Sequence, residues 1–168
     1  MNKSKDEIIF KGFYPTPPKL ADKMISKIRG TPTLILEPSA GKGDLIERMV
    51  HHWDDQRHYE KYHSSVFRAI EIDENLQAIL RSNGVRVIDT DFLAYSGPDK
   101  FDLIIANPPF DTGDLHLLKA IDIVYRGEII FLLNADTIKN PYTNTRKLLV
   151  SKLKELKAEI EYIAGAFK

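Results

Sequence analysis

Short apolar runs alternate with segments of helical periodicity along most of this 168-residue chain. The predicted strands lie at residues 34–37, 66–72, 85–88, 101–106, 129–133 and 160–167. The predicted helical segments lie at residues 16–30, 45–50, 74–82, 115–125 and 143–157. Strands that are apolar on both faces are typical of parallel sheets covered by helices on each side. The pattern therefore predicts an α/β fold in which a mostly parallel sheet lies between helices.

The composition, with 43% hydrophobic and 29% charged residues, is that of an ordinary globular domain, and we expect residues 1–168 to form one such domain. No apolar stretch approaches the roughly 18 residues that a membrane-spanning helix needs. The first ten residues, MNKSKDEIIF, lack the apolar block of a secretory signal. The sequence therefore predicts a cytoplasmic protein with no membrane partner.

Cysteine is absent from the sequence. Disulfides, thiolate metal sites and mechanisms that need a cysteine nucleophile are therefore excluded. Four of the five histidines lie in residues 51–65, HHWDDQRHYEKYHSS. We expect a polar surface loop there and no metal site, because nothing holds the imidazoles on one rigid element.

Positive charge is concentrated at the two ends of the chain, although the formal net charge is zero. Residues 1–30 contain seven Lys or Arg and three Asp or Glu, and residues 139–168 contain the same numbers. A polyanion groove built from both ends would explain this distribution. Solvated helix faces explain it as well and are the commoner cause.

Ligands of such sheets bind at the carboxyl ends of the strands, near the point where the strand order reverses. The first predicted strand leads into EPSAGKGD, residues 37–44, whose glycines allow a tight turn and a close approach to a ligand. This turn is not a phosphate loop, and Ile46 stands where the third glycine of the dinucleotide fingerprint belongs. A nucleotide-like ligand without a pyrophosphate fits the turn better.

The next two strands end in acidic residues. Glu71, in AIEID, is placed to accept both hydroxyls of a ribose, whereas Asp73 fits a helix-capping role better. Asp91 and Phe92, in DTDF, offer a carboxylate for an adenine amino group and an aromatic wall beside it. A turn acid and a core phenylalanine explain that pair equally well.

The fourth predicted strand ends in ANPPF, residues 106–110. Together with EPSAGKG, AIEID and DTDF, and with GFYPTP at residues 12–17, this motif resembles the class I S-adenosylmethionine-dependent methyltransferases. The likeness is closest to the enzymes that methylate the N6 amino group of adenine in DNA, and it spans about residues 12–135. It implies a Rossmann-like fold, S-adenosylmethionine as cofactor and DNA as partner.

The resemblance also implies roles for individual residues, with residues 1–30 forming a segment and helix that cover the cofactor. Tyr14 and Thr16 would lie by the methionine carboxylate, and Glu71 would hold the ribose. The implied cofactor-binding residues are Tyr14, Thr16, Glu37, Ser39, Gly41, Gly43, Glu71, Asp91 and Phe92. The implied catalytic residues are Asn107, Pro108, Pro109 and Phe110.

The chemistry of an aromatic amine explains why ANPPF ends the strand. The lone pair of an exocyclic amino nitrogen is delocalised into the ring, so the amine is a poor nucleophile. The Asn107 side-chain oxygen and the Pro108 carbonyl would accept its two hydrogens, on a backbone that the prolines stiffen. Phe110 would stack on a flipped base, and transfer would be a direct in-line displacement. Methylation at carbon 5 of cytosine is excluded, because it needs a cysteine.

The chain departs from that family in two places. Only about a dozen residues separate Phe92 from the fourth strand, so no separate target-recognition domain is expected, and the final antiparallel strand of such folds would be missing. We expect a truncated form of something longer, with weak sequence specificity on its own. A recognition subunit or a homodimer would then complete the groove.

Three other functions are compatible with these motifs. Guanine amino groups in RNA and glutamine amides in proteins are methylated at similar corners on the same fold, although the FYPTP segment argues against both. A non-catalytic module that binds cofactor or nucleic acid inside a larger assembly is the alternative from another class.

Overall fold

The computed structural model describes residues 14–55 and 64–167. The strands are β1 (Ile35–Glu37), β2 (Phe67–Ile70), β3 (Arg86–Asp89), β4 (Leu103–Ala106) and β5 (Glu128–Phe131). The helices are α1 (Pro18–Ile25), α2 (Asp44–Asp55), α3 (Glu74–Ser82), α4 (Gly113–Ile123), α5 (Ala135–Lys139) and α6 (Asn144–Glu155). In this part of the chain, none of the helices combines the length and apolar character needed to cross a bilayer.

The five strands form one sheet in the order β3-β2-β1-β4-β5, and every neighbouring pair is parallel. The chain builds outward from β1 to β3 and then returns to place β4 on the other side of β1. The strand order therefore reverses between β1 and β4, which we call the switch point. The carboxyl ends of β1 and β4 lie next to each other there, which confirms the predicted α/β architecture.

Alternate residues of the central strands pack into two separate cores, because successive side chains of a strand point to opposite faces. Ile35 of β1 and Ile105 of β4 face the core that α1, α2 and α3 cover. Leu36 and Ile104 point to the opposite core, which includes Ala120 of α4. The central strands are thus apolar on both faces, as parallel strands between helices must be.

The carboxylate of Asp102, just before β4, holds the start of β1 in place. It accepts hydrogen bonds from the backbone N–H groups of Thr33, at 2.8 and 3.0 Å, and Leu34, at 2.9 Å. The Thr33 hydroxyl donates a further bond of 2.7 Å. Partial burial acts to raise the pKa of Asp102, but these donors outweigh it and the pKa is lowered. The two central strands are therefore joined at their amino ends as well as along their ladder.

The predicted sixth strand, at residues 160–167, is wrong. Residues 158–167 form irregular backbone and turns against α1, where Lys23 pairs with Glu161 and Lys27 lies 2.9 Å from Glu159. The segment is apolar enough to be read as a strand, but it does not pair with the open edge of β5 and lies against α1 instead. The same contacts pair cations of one basic end with acids of the other, so the charges of Lys23 and Lys27 are partly neutralised.

Candidate functional site

A cavity of about 340 Å³ lies at the switch point, at the carboxyl ends of β1, β2 and β4. The segment that precedes α1 closes one side of it. The predicted site residues that line it are Tyr14, Thr16, Glu37, Ser39, Glu71, Asn107, Pro108, Pro109 and Phe110. Both the glycine-turn end and the ANPPF end of the predicted site therefore open into one space.

The glycine turn after β1 needs backbone that only glycine adopts easily. Gly41 and Gly43 have φ values of +56° and +97°, in the left-handed region. A Cβ on Gly43 would lie 3.0 Å from the Leu80 side chain, and the Gly41 N–H donates to Glu71 Oε2 at 2.7 Å. Gly41 and Gly43 are not among the residues that line the cavity. They shape the turn and join it to the end of β2.

Glu71 is a buried acid whose two oxygens are already oriented by backbone donors. Its Oε1 accepts from the Asp73 N–H at 2.9 Å, while Oε2 accepts from Gly41. Burial raises the pKa of Glu71, and the backbone hydrogen bonds partly offset that rise. Each oxygen keeps a second lone pair for a ligand hydroxyl. Asp73 caps α3 by accepting from Asn75 and Leu76, as predicted.

Glu37, at the end of β1, is 3% exposed, and its Oε2 atom has no hydrogen-bond partner. Burial raises the pKa of Glu37 well above its usual value, and repulsion from Asp44 and Glu71 adds to the rise. A buried acceptor without a partner is unfavourable, and a ligand that donates a hydrogen bond would relieve it. With Asp73 also at the wall, the acidic side of the cavity suits a cationic ligand.

The Asn107 amide is oriented by the segment before α1. Its Nδ2 donates to the Tyr14 carbonyl at 2.9 Å and to Thr16 Oγ1 at 3.1 Å. These two acceptors assign the nitrogen, so Oδ1 is left as a buried acceptor without a partner. The side chain therefore presents an acceptor oxygen at the strand corner that begins the Asn-Pro-Pro-Phe turn.

Phe110 belongs to an aromatic cluster at the mouth of the cavity. Its ring stacks with Tyr14 at a centroid distance of 5.5 Å and an interplanar angle of 22°. Phe167 contacts Phe110 edge to face, with centroids 5.3 Å apart. Tyr14 itself is 59% exposed, so one partner of Phe110 has solvent on its outer side.

Asp91 and Phe92 do not line the cavity. The Asp91 carboxylate accepts from the Leu93 N–H at 2.9 Å, as a turn acid does. Phe92 is 2% exposed and packs in the core on the α4 side, with its centroid 5.6 Å from that of His116. The described contacts of this pair are those of a turn acid and a core phenylalanine.

Eight residues that line the cavity were not among the predicted site residues: Pro15, Ala40, Asp44, Leu45, Ile72, Asp73, Leu76 and Asp111. Ile72 is 77% exposed, although it lies only two residues after the end of the buried strand β2. The sequence signal for this residue was its position between two acids, in Glu-Ile-Asp at the end of a strand. An apolar side chain between acids at a strand end faces a ligand more often than the core. It gives the acidic cavity one apolar wall.

The histidine-rich stretch lies only partly within the described structure. His51 and His52 lie on α2, whereas residues 56–63, with the other two histidines of that stretch, are outside the described residues. Across residues 14–55 and 64–167, no three His, Asp or Glu side chains form a group that could hold a metal ion.

Comparisons with known proteins agree with this architecture. No family model matches the chain. The type II methyltransferase M.CvrRI of Paramecium bursaria Chlorella virus XZ-6E is 33% identical over 111 residues, which cover 65% of this chain and 27% of that protein. The chain thus spans about a quarter of that relative's length.

Two solved structures share the fold at low identity. A protein described as a modification subunit of a type I restriction enzyme from Vibrio vulnificus YJ016 has a TM-score of 0.65 at 16% identity, over 89% of this chain and 39% of that one. A protein described as a class I S-adenosylmethionine-dependent methyltransferase from Listeria monocytogenes has a TM-score of 0.62 at 14% identity, over 83% and 51%. The chain therefore has the Rossmann-like fold of class I methyltransferases.

Proposed function

We propose that this chain is an S-adenosylmethionine-dependent methyltransferase that acts on the N6 amino group of adenine in DNA. The observation that carries the proposal is the Asn107 amide, whose nitrogen is engaged by Tyr14 and Thr16 and whose oxygen is free. The names of the chlorella-virus relative and of the Vibrio restriction-enzyme subunit support methyl transfer in a restriction-modification context, and the choice of an amino group rests on the Asn107 geometry.

The acidic half of the cavity fits the cofactor. Glu37 and Asp44 would hold the positively charged amino group, and the oriented oxygens of Glu71 would accept the ribose hydroxyls. Ile72 would pack against the apolar face of the adenosine. When bound there, the cofactor supplies a methyl group on a cationic sulfur.

The other half of the cavity would activate the amine. Asn107 Oδ1 and the Pro108 carbonyl would each accept one hydrogen of the exocyclic amino group, which withdraws its lone pair from the ring and directs it toward the methyl donor. Thr16 is a positioning residue in this scheme, because it acts on the substrate only through the amide that it orients. Orientation supplies most of the rate, since no covalent intermediate is needed.

The aromatic cluster would receive the flipped base. An adenine stacked on Phe110 would take the ring face that Tyr14 now covers, so Tyr14 must move or rotate when the base enters. Flipping costs a few kcal/mol, and stacking on Phe110 offsets part of that amount.

The test is replacement of Asn107 by Ala, with Asn83→Ala as the control. Asn83 is exposed at the far end of α3, away from the cavity. We expect Asn107→Ala to lower kcat by roughly 100-fold or more on adenine-containing DNA, as loss of an oriented hydrogen-bond partner does in other enzymes. Cofactor affinity, measured by calorimetry, should change by less than about threefold, and Asn83→Ala should match wild type in both assays.

The choice of substrate is tested by labelled-methyl transfer. Label should enter a duplex with adenine at the target positions, and it should not enter the same duplex with purine lacking the 6-amino group. Label that appears only in protein or in RNA would overturn the assignment to DNA adenine. A wild-type chain that binds cofactor but transfers no label would identify a non-catalytic module.

A further inference from the structure

A second surface at the same edge of the sheet has no role in the site described above. Residues 139–147, from the end of α5 through the first turn of α6, expose Lys139, Asn140, Tyr142, Asn144 and Lys147. Tyr142 is 68% exposed, and of the large apolar or aromatic side chains in the described structure only Ile72 is more exposed. We call residues 139–147 the Tyr142 platform.

The ring of Tyr142 packs against a fixed cation while most of the side chain is exposed. The Arg146 guanidinium carbon lies 4.7 Å from the ring centroid. Arg146 is itself held by Asp114, with 3.9 Å between Nε and Oδ2, and the two side chains are only 16% and 12% exposed. Thr143 caps α6 by accepting from the Arg146 N–H at 3.1 Å. A fixed cation under one face of an exposed ring leaves the rest of the ring as a preformed stacking surface.

The Tyr142 platform borders the ANPPF corner. Asp114, which holds Arg146, lies in the first turn of α4, four residues after Phe110. The platform also follows the carboxyl end of β5, which is parallel to β4. Both connections place it on the edge of the sheet where Asn107 lies.

The charges around the ring favour an anionic partner. Lys139 and Lys147 are exposed on either side of Tyr142 in the sequence, and Lys139 Nζ also lies 4.2 Å from the Tyr162 ring centroid. The nearby acids are Asp136, which is close in sequence and exposed, and Asp114, which is close in space and is paired with Arg146. Exposed aromatic rings among lysines are typical of surfaces that follow a nucleic acid strand.

We propose that Tyr142 stacks on a nucleotide next to the target base, with Lys139 and Lys147 close to the backbone phosphates. This inference rests on the proposed function and adds to it the surface that holds the substrate strand. When the target base leaves the DNA duplex, the face of the neighbouring base becomes exposed, and Tyr142 covers that face.

Tyr125 provides a matched control. It is 45% exposed and has two cations near its ring, Lys100 at 4.8 Å and Arg126 at 5.7 Å. Its N–H donates to the Phe101 carbonyl, which places it ahead of β4 and β5, at the amino edge of the sheet. A strand bound at the carboxyl edge does not reach it.

The experiment is fluorescence anisotropy of a labelled adenine-containing oligonucleotide, single-stranded and duplex, over a range of salt concentrations. Tyr142→Ala should weaken binding about tenfold, while Tyr142→Phe and Tyr125→Ala should stay within about twofold of wild type. Lys147→Ala should lower the slope of log Kd against log salt by about one. Circular dichroism should show all four variants folded, since each residue changed is exposed.

Equal loss in Tyr142→Ala and Tyr125→Ala, or no loss in Tyr142→Ala, would overturn the inference. Either result together with methylation that still depends on Asn107 would leave the proposed function standing. A wild-type chain that binds no oligonucleotide would overturn both this inference and the proposed function.

Discussion

At the scale of single residues, the cavity contains side chains that hydrogen bonds already orient and buried oxygen atoms that have no hydrogen-bond partner. Asn107 and Glu71 are fixed by neighbouring donors and acceptors, so little ordering is left to be done when a ligand binds. Glu37 Oε2 and Asn107 Oδ1 are buried without partners, which the folded chain tolerates at some cost. Such preorganised but unsatisfied groups are typical of binding sites rather than of cores.

Substitution of Ile72 tests cofactor binding separately from the stability of the fold. Its side chain is 77% exposed, so Ile72→Ala should leave the Tm of the free chain within about 1 °C of wild type. If the side chain is buried by the adenosine, loss of three methylene equivalents should weaken cofactor binding by about 5- to 30-fold. Calorimetry gives the affinity, and Ile79→Ala, an exposed isoleucine farther along α3, is the control. Unchanged affinity in Ile72→Ala would place the cofactor elsewhere.

The residues that could be located from sequence share one property. Glu37, Glu71 and Asn107 each end an apolar run, and the ends of parallel strands necessarily meet at one edge of a sheet. Asp91 and Phe92 follow a strand as well, yet they do not line the cavity. The direction of the Asp91 side chain depends on a local hydrogen bond, from the Leu93 N–H, and that of Phe92 on the space available in the core. The sequence pattern carries no information on either.

At the scale of elements, β1 is three residues long, and its hold on the sheet depends on Asp102. Asp102→Asn removes the charge from a group that accepts from two backbone N–H groups and a hydroxyl. We expect a loss of about 1–2 kcal/mol in the free energy of unfolding at pH 7, measured by urea denaturation, after allowing for partial solvent screening. Asp122→Asn, which changes an exposed pair with Lys152, should change stability by less than about 0.5 kcal/mol.

The sign of the pH dependence follows from the pKa of Asp102, which is lower in the folded chain. A lowered pKa stabilises the fold above the unfolded value, near 3.9, and that contribution is lost as the pH falls through the folded value. Asp102→Asn should therefore differ most from wild type at neutral pH and least in acid. A difference that grows in acid would contradict the role assigned to the carboxylate.

Elements were easiest to predict where a pattern was long and its partners were certain. Residues 74–82 form α3 as predicted, because a capping aspartate and an amphipathic face agree there. The short helix α5 was missed, since five residues are too few to show a period and it is started by the Asn134 side chain. The predicted strand at 160–167 does not join the sheet although β5 is an edge strand, because strand pairing depends on contacts across the whole molecule, and here the segment packs against α1.

At the scale of the whole molecule, the switch point concentrates acids between the two halves of the sheet. Glu37, Asp44, Glu71 and Asp73 all line one cavity, although the chain as a whole has no net charge. Bringing these acids together lowers the stability of the free chain and makes a site that favours a cation. Residues that improve ligand binding there should weaken the free chain, which is the usual relation between stability and function.

Glu37 tests that relation directly. Its pKa is raised by burial, so its contribution to stability is fully present below the unfolded value, near 4.3, and is lost as the pH rises through the folded value. Above that range wild type carries a buried charge that Glu37→Gln lacks. We expect Glu37→Gln to raise Tm by a few degrees at alkaline pH, above the folded pKa, and the gain to shrink as the pH falls toward the unfolded value, in calorimetric scans without ligand.

The same substitution should weaken cofactor binding by about tenfold or more at alkaline pH, above the folded pKa, because it removes the charge that faces the cationic ligand. Glu47→Gln, on the exposed face of α2, should alter neither Tm nor affinity beyond small amounts. A Glu37→Gln chain that is less stable at every pH would mean that the carboxylate is held by a partner and is not under strain. Higher stability with undiminished affinity would instead show that the acid serves neither the fold nor the ligand, and the cationic end of the ligand would then have to be assigned to Asp44 or Asp73.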